Sequence, residues 1–148
     1  MFGTRQSGVN AYAKVGIETG VTSASPHKLI VMLFDGALVS VATGIHCMKA
    51  GNIPEKGAAI SKAIMIIDSG LRASLDKKVG GEIAEGLDAL YEYMVHRLLQ
   101  ANLKNEVDKL EEVQRLLSEL RGAWNAIGEA AAAPADPNLP RSPTLASA

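Results

Sequence analysis

The chain has 148 residues, enough for one domain with its own core. Hydrophobic residues make up 47% and aromatics only 4%, a mixture that favours a helical protein with an aliphatic interior. A net charge of −1 lacks the basic excess of a nucleic-acid binder and gives no electrostatic reason to sit on an acidic membrane surface.

The opening residues, MFGTRQSGVNAY, lack the apolar core of a signal peptide. The apolar run Leu29 to Phe34 is far short of the roughly 20 residues a bilayer requires, so no membrane insertion is expected. A single cysteine, Cys47, rules out an internal disulfide framework, and the cytoplasm is the simplest address.

Residues 1–24 are polar and weakly patterned, with only Tyr12, Val15 and Ile17 able to share a helical turn. Such an arm has too little apolar surface to fold alone, so it is mobile or docked on the main body. Ser25-Pro26 then starts a helix: serine caps free N–H groups, and proline at the first position loses no hydrogen bond. This helix should reach about Ala50 and stop at Gly51-Asn52. Leu29, Met32, Leu33, Gly36 and Cys47 share one face, and Ile30, Phe34, Leu38, Val41 and Ile45 another. A helix apolar on two faces is either central to a bundle or keeps one face for a partner.

A second helix begins at Asn52-Ile53-Pro54, with Ile53, Ile60, Ile64, Ile67 and Leu71 inward and Met65 and Ile66 pointing elsewhere, and ends near Ser74. Leu75 to Gly81 is expected to be a glycine-bearing loop. The third helix follows, placing Ile83, Leu87, Leu90, Met94, Leu98 and Ala101 on one stripe with Tyr91 and Val95 on its flank. Asn105 is the expected cap of a fourth helix, whose Val107, Leu110, Val113, Leu117, Leu120, Trp124 and Ile127 recur every three or four residues. From Gly128 the chain becomes rich in alanine, serine and proline with little bulk to bury, which predicts a disordered tail over 128–148.

The expected fold is therefore all-α: an antiparallel four-helix bundle over 25–127, with an N-terminal arm over 1–24 and that tail. No set of residues converges on acid–base or nucleophilic chemistry, so the chain is not expected to be an enzyme. His27, His46 and His96 lack ligand spacing, Glu92 and His96 have no second motif to complete a di-metal site, and no cofactor is expected. His46 and Cys47 point about 100° apart on a helix, which favours a buried thiol over a nucleophile. Gly80-Gly81 follows no strand and precedes no GKS, so a turn is the better reading than a phosphate loop.

In order, Asn10-Ala11-Tyr12, Ser23-Ala24-Ser25-Pro26-His27-Lys28-Leu29-Ile30, Met32-Leu33-Phe34-Asp35-Gly36-Ala37, Ser74-Leu75-Asp76, Gly80-Gly81-Glu82-Ile83-Ala84, Leu90-Tyr91-Glu92-Tyr93-Met94, Arg97-Leu98, Ala101-Asn102 and Leu117-Ser118-Glu119-Leu120-Arg121 with Trp124 resemble the FliS family of flagellar secretion chaperones. The match spans roughly residues 10–126, departing at Phe34, often tyrosine in the family, and Gly86, often asparagine. The resemblance implies a cytoplasmic, ATP-independent export chaperone in type III flagellum biogenesis. It would bind the disordered C-terminal segment of flagellin, block premature polymerisation, and present the subunit to the flagellar export apparatus. It also implies that the N-terminal arm, here Tyr12 and its neighbours, covers part of the client surface when that surface is empty.

The residues support such a role physically. A bundle with surplus apolar surface lets an amphipathic segment fold as a helix in its grooves. Ordering the client costs about 2–5 kcal/mol, which burial of roughly 1,000 Å² at about 25 cal/mol per Å² more than offsets. Ile30, Phe34, Leu38, Met65, Ile66, Tyr91 and Val95 are the candidate groove residues, with Tyr12 as a removable cover. Each of the seven is either groove lining or ordinary core. The competing reading is a helical-bundle scaffold that acts through self-association; for the chaperone, association with itself would be a weak homodimer.

Overall fold

The computed structural model of the protein describes residues 24–132, so the arm bearing Tyr12 and the tail beyond Ala132 lie outside the described residues. Four helices follow one another with short connections: α1 (Pro26–Lys49), α2 (Ile53–Met65), α3 (Lys77–Lys104) and α4 (Val107–Ala132). Between α2 and α3 the chain passes through a π-helical segment, Ile66–Leu71, and one 3₁₀ turn, Arg72–Ser74. No strand occurs among the described residues.

Each helix packs chiefly on two neighbours, α1 on α2 and α4, and α3 on α4 and α2, which closes an antiparallel four-helix bundle. By length and composition α1 could cross a bilayer. In the bundle, its apolar surplus is used in packing on two neighbours at once. The core runs the length of the molecule through Val41, Ile60, Ile67, Leu71, Met94, Leu98, Leu110, Val113 and Leu117, none more than 2% exposed.

The start of α1 follows its sequence, with Lys28 N donating to Ser25 Oγ at 3.1 Å. Gly44 lets α1 and α2 approach closely: a Cβ there would lie 3.2 Å from Ile60 Cγ1. The expected loop over Leu75–Gly81 is largely helical instead. Asp76 Oδ1 accepts from Lys78 N and Val79 N and starts a turn at Lys77. The axis then breaks at Gly81 (φ 54°, ψ −128°), a conformation open essentially to glycine alone.

Asn105 has a different task from the expected one. It adopts the left-handed conformation (φ 57°) that terminates α3, rather than capping α4. Ile53 and Ile83, placed inward by periodicity, are 53% and 52% exposed. Ile53 is the first residue of α2 and Ile83 follows the break at Gly81, and both stay open to solvent. The fourth helix continues past Gly128 to Ala132, the last described residue, through alanines that favour a helix.

Candidate functional site

The bundle leaves apolar side chains on its seams, and polar contacts fix the register of each seam. Between α2 and α3, Lys56 Nζ donates to the Asn102 carbonyl at 3.0 Å and to Asn105 Oδ1 at 3.1 Å. At the other end of the same seam, Arg72 Nε meets Asp88 Oδ1 at 2.6 Å, with Glu92, Asp68 and Lys77 completing a network. Arg72 holds the Asp88 carboxyl below its usual range, and Asp88 in turn raises the guanidinium.

Between these polar clamps the third helix presents Val95, half-buried, and Leu99, 44% exposed, and the same i,i+4 row continues to Leu103, 83% exposed and level with the Lys56 clamp. On α2, Ile64 is half-buried, and Ile53 and Met65 are exposed, the latter at 51%. This is a broad apolar strip rimmed by charge.

On the far side, Asp35 of α1 pairs with Arg121 of α4, and Ile30 and Leu38 lie half-buried against the core. The pairing explains why an aspartate sits in an otherwise apolar helix. A Cβ at its neighbour Gly36 would stand 3.4 Å from Ile66 Cδ1, close to ordinary contact.

The candidate groove residues therefore divide. Ile30, Leu38 and Val95 are half-buried and Met65 is exposed, so part of each is open to a partner. Phe34, Ile66 and Tyr91 are 2%, 4% and 3% exposed and belong to the core cluster. Burial also pushes the Tyr91 phenol well above its ordinary range. Ile66 is inward because it shares a helix face with the buried Ala59 and Ala63, seven and three residues before it. Ile67 lies on the row of Ile60 and Ala63, so the adjacent Ile66 and Ile67 both face the interior. Tyr12 lies outside the described residues.

Sequence reasoning passed over Lys56, as it did Leu99, Leu103 and the Arg72–Asp88 pair. Only 4% exposed, Lys56 occupies the α2 row that continues through Ile60, Ala63 and Ile67. Its position on that apolar row was the available signal. The ammonium is held by the carbonyl end of α3, where the helix dipole favours a cation.

Between α3 and α4, Glu112 accepts from Tyr93 Oη and from Arg97 Nε, both at 2.6 Å, and Arg97 also lies over the Tyr93 ring. These contacts lower the Glu112 carboxyl, the tyrosine bond contributing most. Below them the seam is apolar, with Leu90, Leu116 and Leu120 half-buried and Ile83 and Ile127 exposed at its end. Among the described residues no group of three or more His, Cys, Asp or Glu side chains is arranged to hold a metal, and Cys47 is a buried free thiol. What the seams present is apolar binding surface.

The family model described as flagellar protein FliS matches residues 8–131 of this chain. The flagellar secretion chaperone FliS of Salmonella typhimurium is 53% identical over 121 residues, covering 82% of this chain and 90% of that protein. Its counterpart in Escherichia coli is 48% identical, covering 79% and 86%. The flagellar secretion chaperone FliSB of Pseudomonas aeruginosa is 47% identical, covering 78% and 91%.

Proposed function

This chain belongs to the FliS family of flagellar secretion chaperones, and from that premise we propose that it binds the C-terminal segment of flagellin in the cytoplasm. Binding keeps that segment from polymerising before export and presents the subunit to the flagellar export apparatus. The observation that carries this reading is an apolar surface surplus on a bundle whose core is already complete. Met65, Val95, Leu99 and Leu103 remain open while Phe34, Ile66 and Tyr91 are fully packed.

We place the client contact on the α2–α3 strip, with Ile30 and Leu38 as a second patch reached where the client wraps round the bundle. An amphipathic client helix supplies aliphatic side chains to the strip, and the flanking charges meet its polar face. Tyr12, on the arm, covers part of this surface in the empty chaperone.

The test mixes the protein with a peptide of the flagellin C-terminal segment and follows co-elution and far-UV circular dichroism together. An equimolar complex with gained helicity supports the proposal. No complex, together with a salt-resistant homo-oligomer, would instead support a scaffold acting through self-association.

A further inference from the structure

Methionine supplies a flexible, apolar side chain that a single oxygen atom turns polar. Among the described residues the methionines differ in their access to that chemistry. Met48 and Met94 are buried in the core, Met32 is half-buried, and Met65 stands open at the end of α2. Cys47, the other sulfur in reach of oxidants, is buried.

The place of Met65 gives its exposure a consequence. Gly57 of α2 faces α3, where a Cβ on it would stand 3.9 Å from Asn102 Oδ1. Ser61 and Met65 follow at steps of four, so the three residues form one ridge of α2 along the strip. Across the seam runs the α3 row of Val95, Leu99 and Leu103. Gly57 and Ser61 offer no apolar bulk, so the Met65 thioether is the large apolar contact of its ridge. The charged network begins three residues on, with Asp68 bound to Arg72. Polarity added at Met65 would therefore lengthen the charged rim at the expense of the apolar strip.

We propose that Met65 is an oxidation site that switches client binding, a proposal that rests on the α2–α3 strip being the client surface. Hydrogen peroxide gives one oxygen to the Met65 sulfur. The O–O bond breaks, an S–O bond forms, and water leaves with both protons of the peroxide. The sulfur loses two electrons and the peroxide gains them. The sulfoxide oxygen is a hydrogen-bond acceptor that the aliphatic face of a client helix cannot satisfy, so docking desolvates it without return. A docked client in turn covers the sulfur and slows its oxidation. Methionine sulfoxide reductases reverse the step, the oxygen leaving as water while two thiols become a disulfide.

The test treats the free protein with hydrogen peroxide, stops the reaction with catalase, and maps the oxidised residues by peptide mass spectrometry. Calorimetry with the flagellin C-terminal peptide follows. Met65 should oxidise ahead of Met32, Met48 and Met94, and more slowly when the peptide is already bound. Protein oxidised at Met65 should bind about tenfold or more weakly at an unchanged melting temperature, and reductase treatment should restore the affinity. Met65→Leu, whatever its own starting affinity, should lose less than about twofold on the same treatment. Met32→Leu should lose as much as wild type. Full oxidation at Met65 with undiminished binding overturns the proposal, as does a loss that persists in Met65→Leu. Equal oxidation rates with and without peptide, or a melting temperature that falls together with the affinity, also overturn it. No binding before peroxide is added removes the client reading itself, and this proposal with it.

Discussion

Lys56 and Asn105 meet at 3.1 Å, and through them the first turn of α2 is fastened to the residue that closes α3. Asn105 does two things at once. Its backbone takes the left-handed conformation that ends α3, and its side-chain oxygen satisfies a buried ammonium. Two substitutions separate these tasks. Asn105→Gly keeps the turn and removes one acceptor, for a loss of about 1 kcal/mol. Asn105→Ala adds the left-handed strain, for a total of about 2–3 kcal/mol. Urea denaturation of the two variants checks the order; equal losses would mean the backbone conformation is irrelevant.

Gly81 bends the start of α3 with φ 54° and ψ −128°, where a Cβ meets no neighbouring atom but the backbone itself is strained. Gly81→Ala should destabilise by about 1–3 kcal/mol. Gly86, exposed and within the regular helix, behaves oppositely: Gly86→Ala should be neutral or stabilise by up to about 1 kcal/mol. Thermal melts of the pair decide it.

His27 stacks on Trp124 with ring centroids 5.1 Å apart, and Trp124 Nε1 donates to the His27 carbonyl at 3.2 Å. A Cβ on Gly128 would overlap the imidazole. Despite the better helix propensity of alanine, Gly128→Ala should therefore destabilise, by about 1–3 kcal/mol. Adding His27→Ala should recover part of that loss. A double-mutant cycle, with Trp124 fluorescence reporting the stack, tests the coupling.

Asp88 is held below its usual carboxylate range, first by its hydrogen bond from Arg72. A depressed folded-state value contributes stability above the unfolded value, near pH 4, and loses it as pH falls through the folded value. Asp88→Asn should thus cost about 1 kcal/mol at neutral pH. Below pH 4 the gap between variant and wild type should close. Denaturation curves from pH 7 down to 2.5 measure both; a gap that stays constant with pH would remove Asp88 from the acid response.

Surface and core members of the candidate groove should separate cleanly. Met65→Glu, at a side chain 51% exposed, should leave the melting temperature unchanged and weaken flagellin-peptide binding by about tenfold or more, the cost of setting a charge in an apolar contact. Ile66→Ala, 4% exposed, should lose about 2–5 kcal/mol of stability. Calorimetry with the peptide, alongside melts, would contradict the assignment if Met65→Glu bound normally.

The sequence by itself determined the number of helices, their order and most of their ends. Those features depend on local chemistry: Ser25-Pro26 at a start, Gly51 at a stop, and aliphatic residues recurring every three or four positions. It also carried the family, because the matched residues lie in one order along the chain. Tertiary structure alone decided which apolar residues are surface. Periodicity does not say how wide the buried arc of a helix is, and α2 packs on both α1 and α3, so Ile66, on the face of Ala59 and Ala63, is core together with Ile67. It also assumes that a stripe is covered along its whole length, whereas Ile53, at the first position of α2, and Ile83, just past the break at Gly81, are exposed. The roles of Lys56, Asp35 and Asn105 were likewise undetermined locally, since their partners stand 46 or more residues away along the chain.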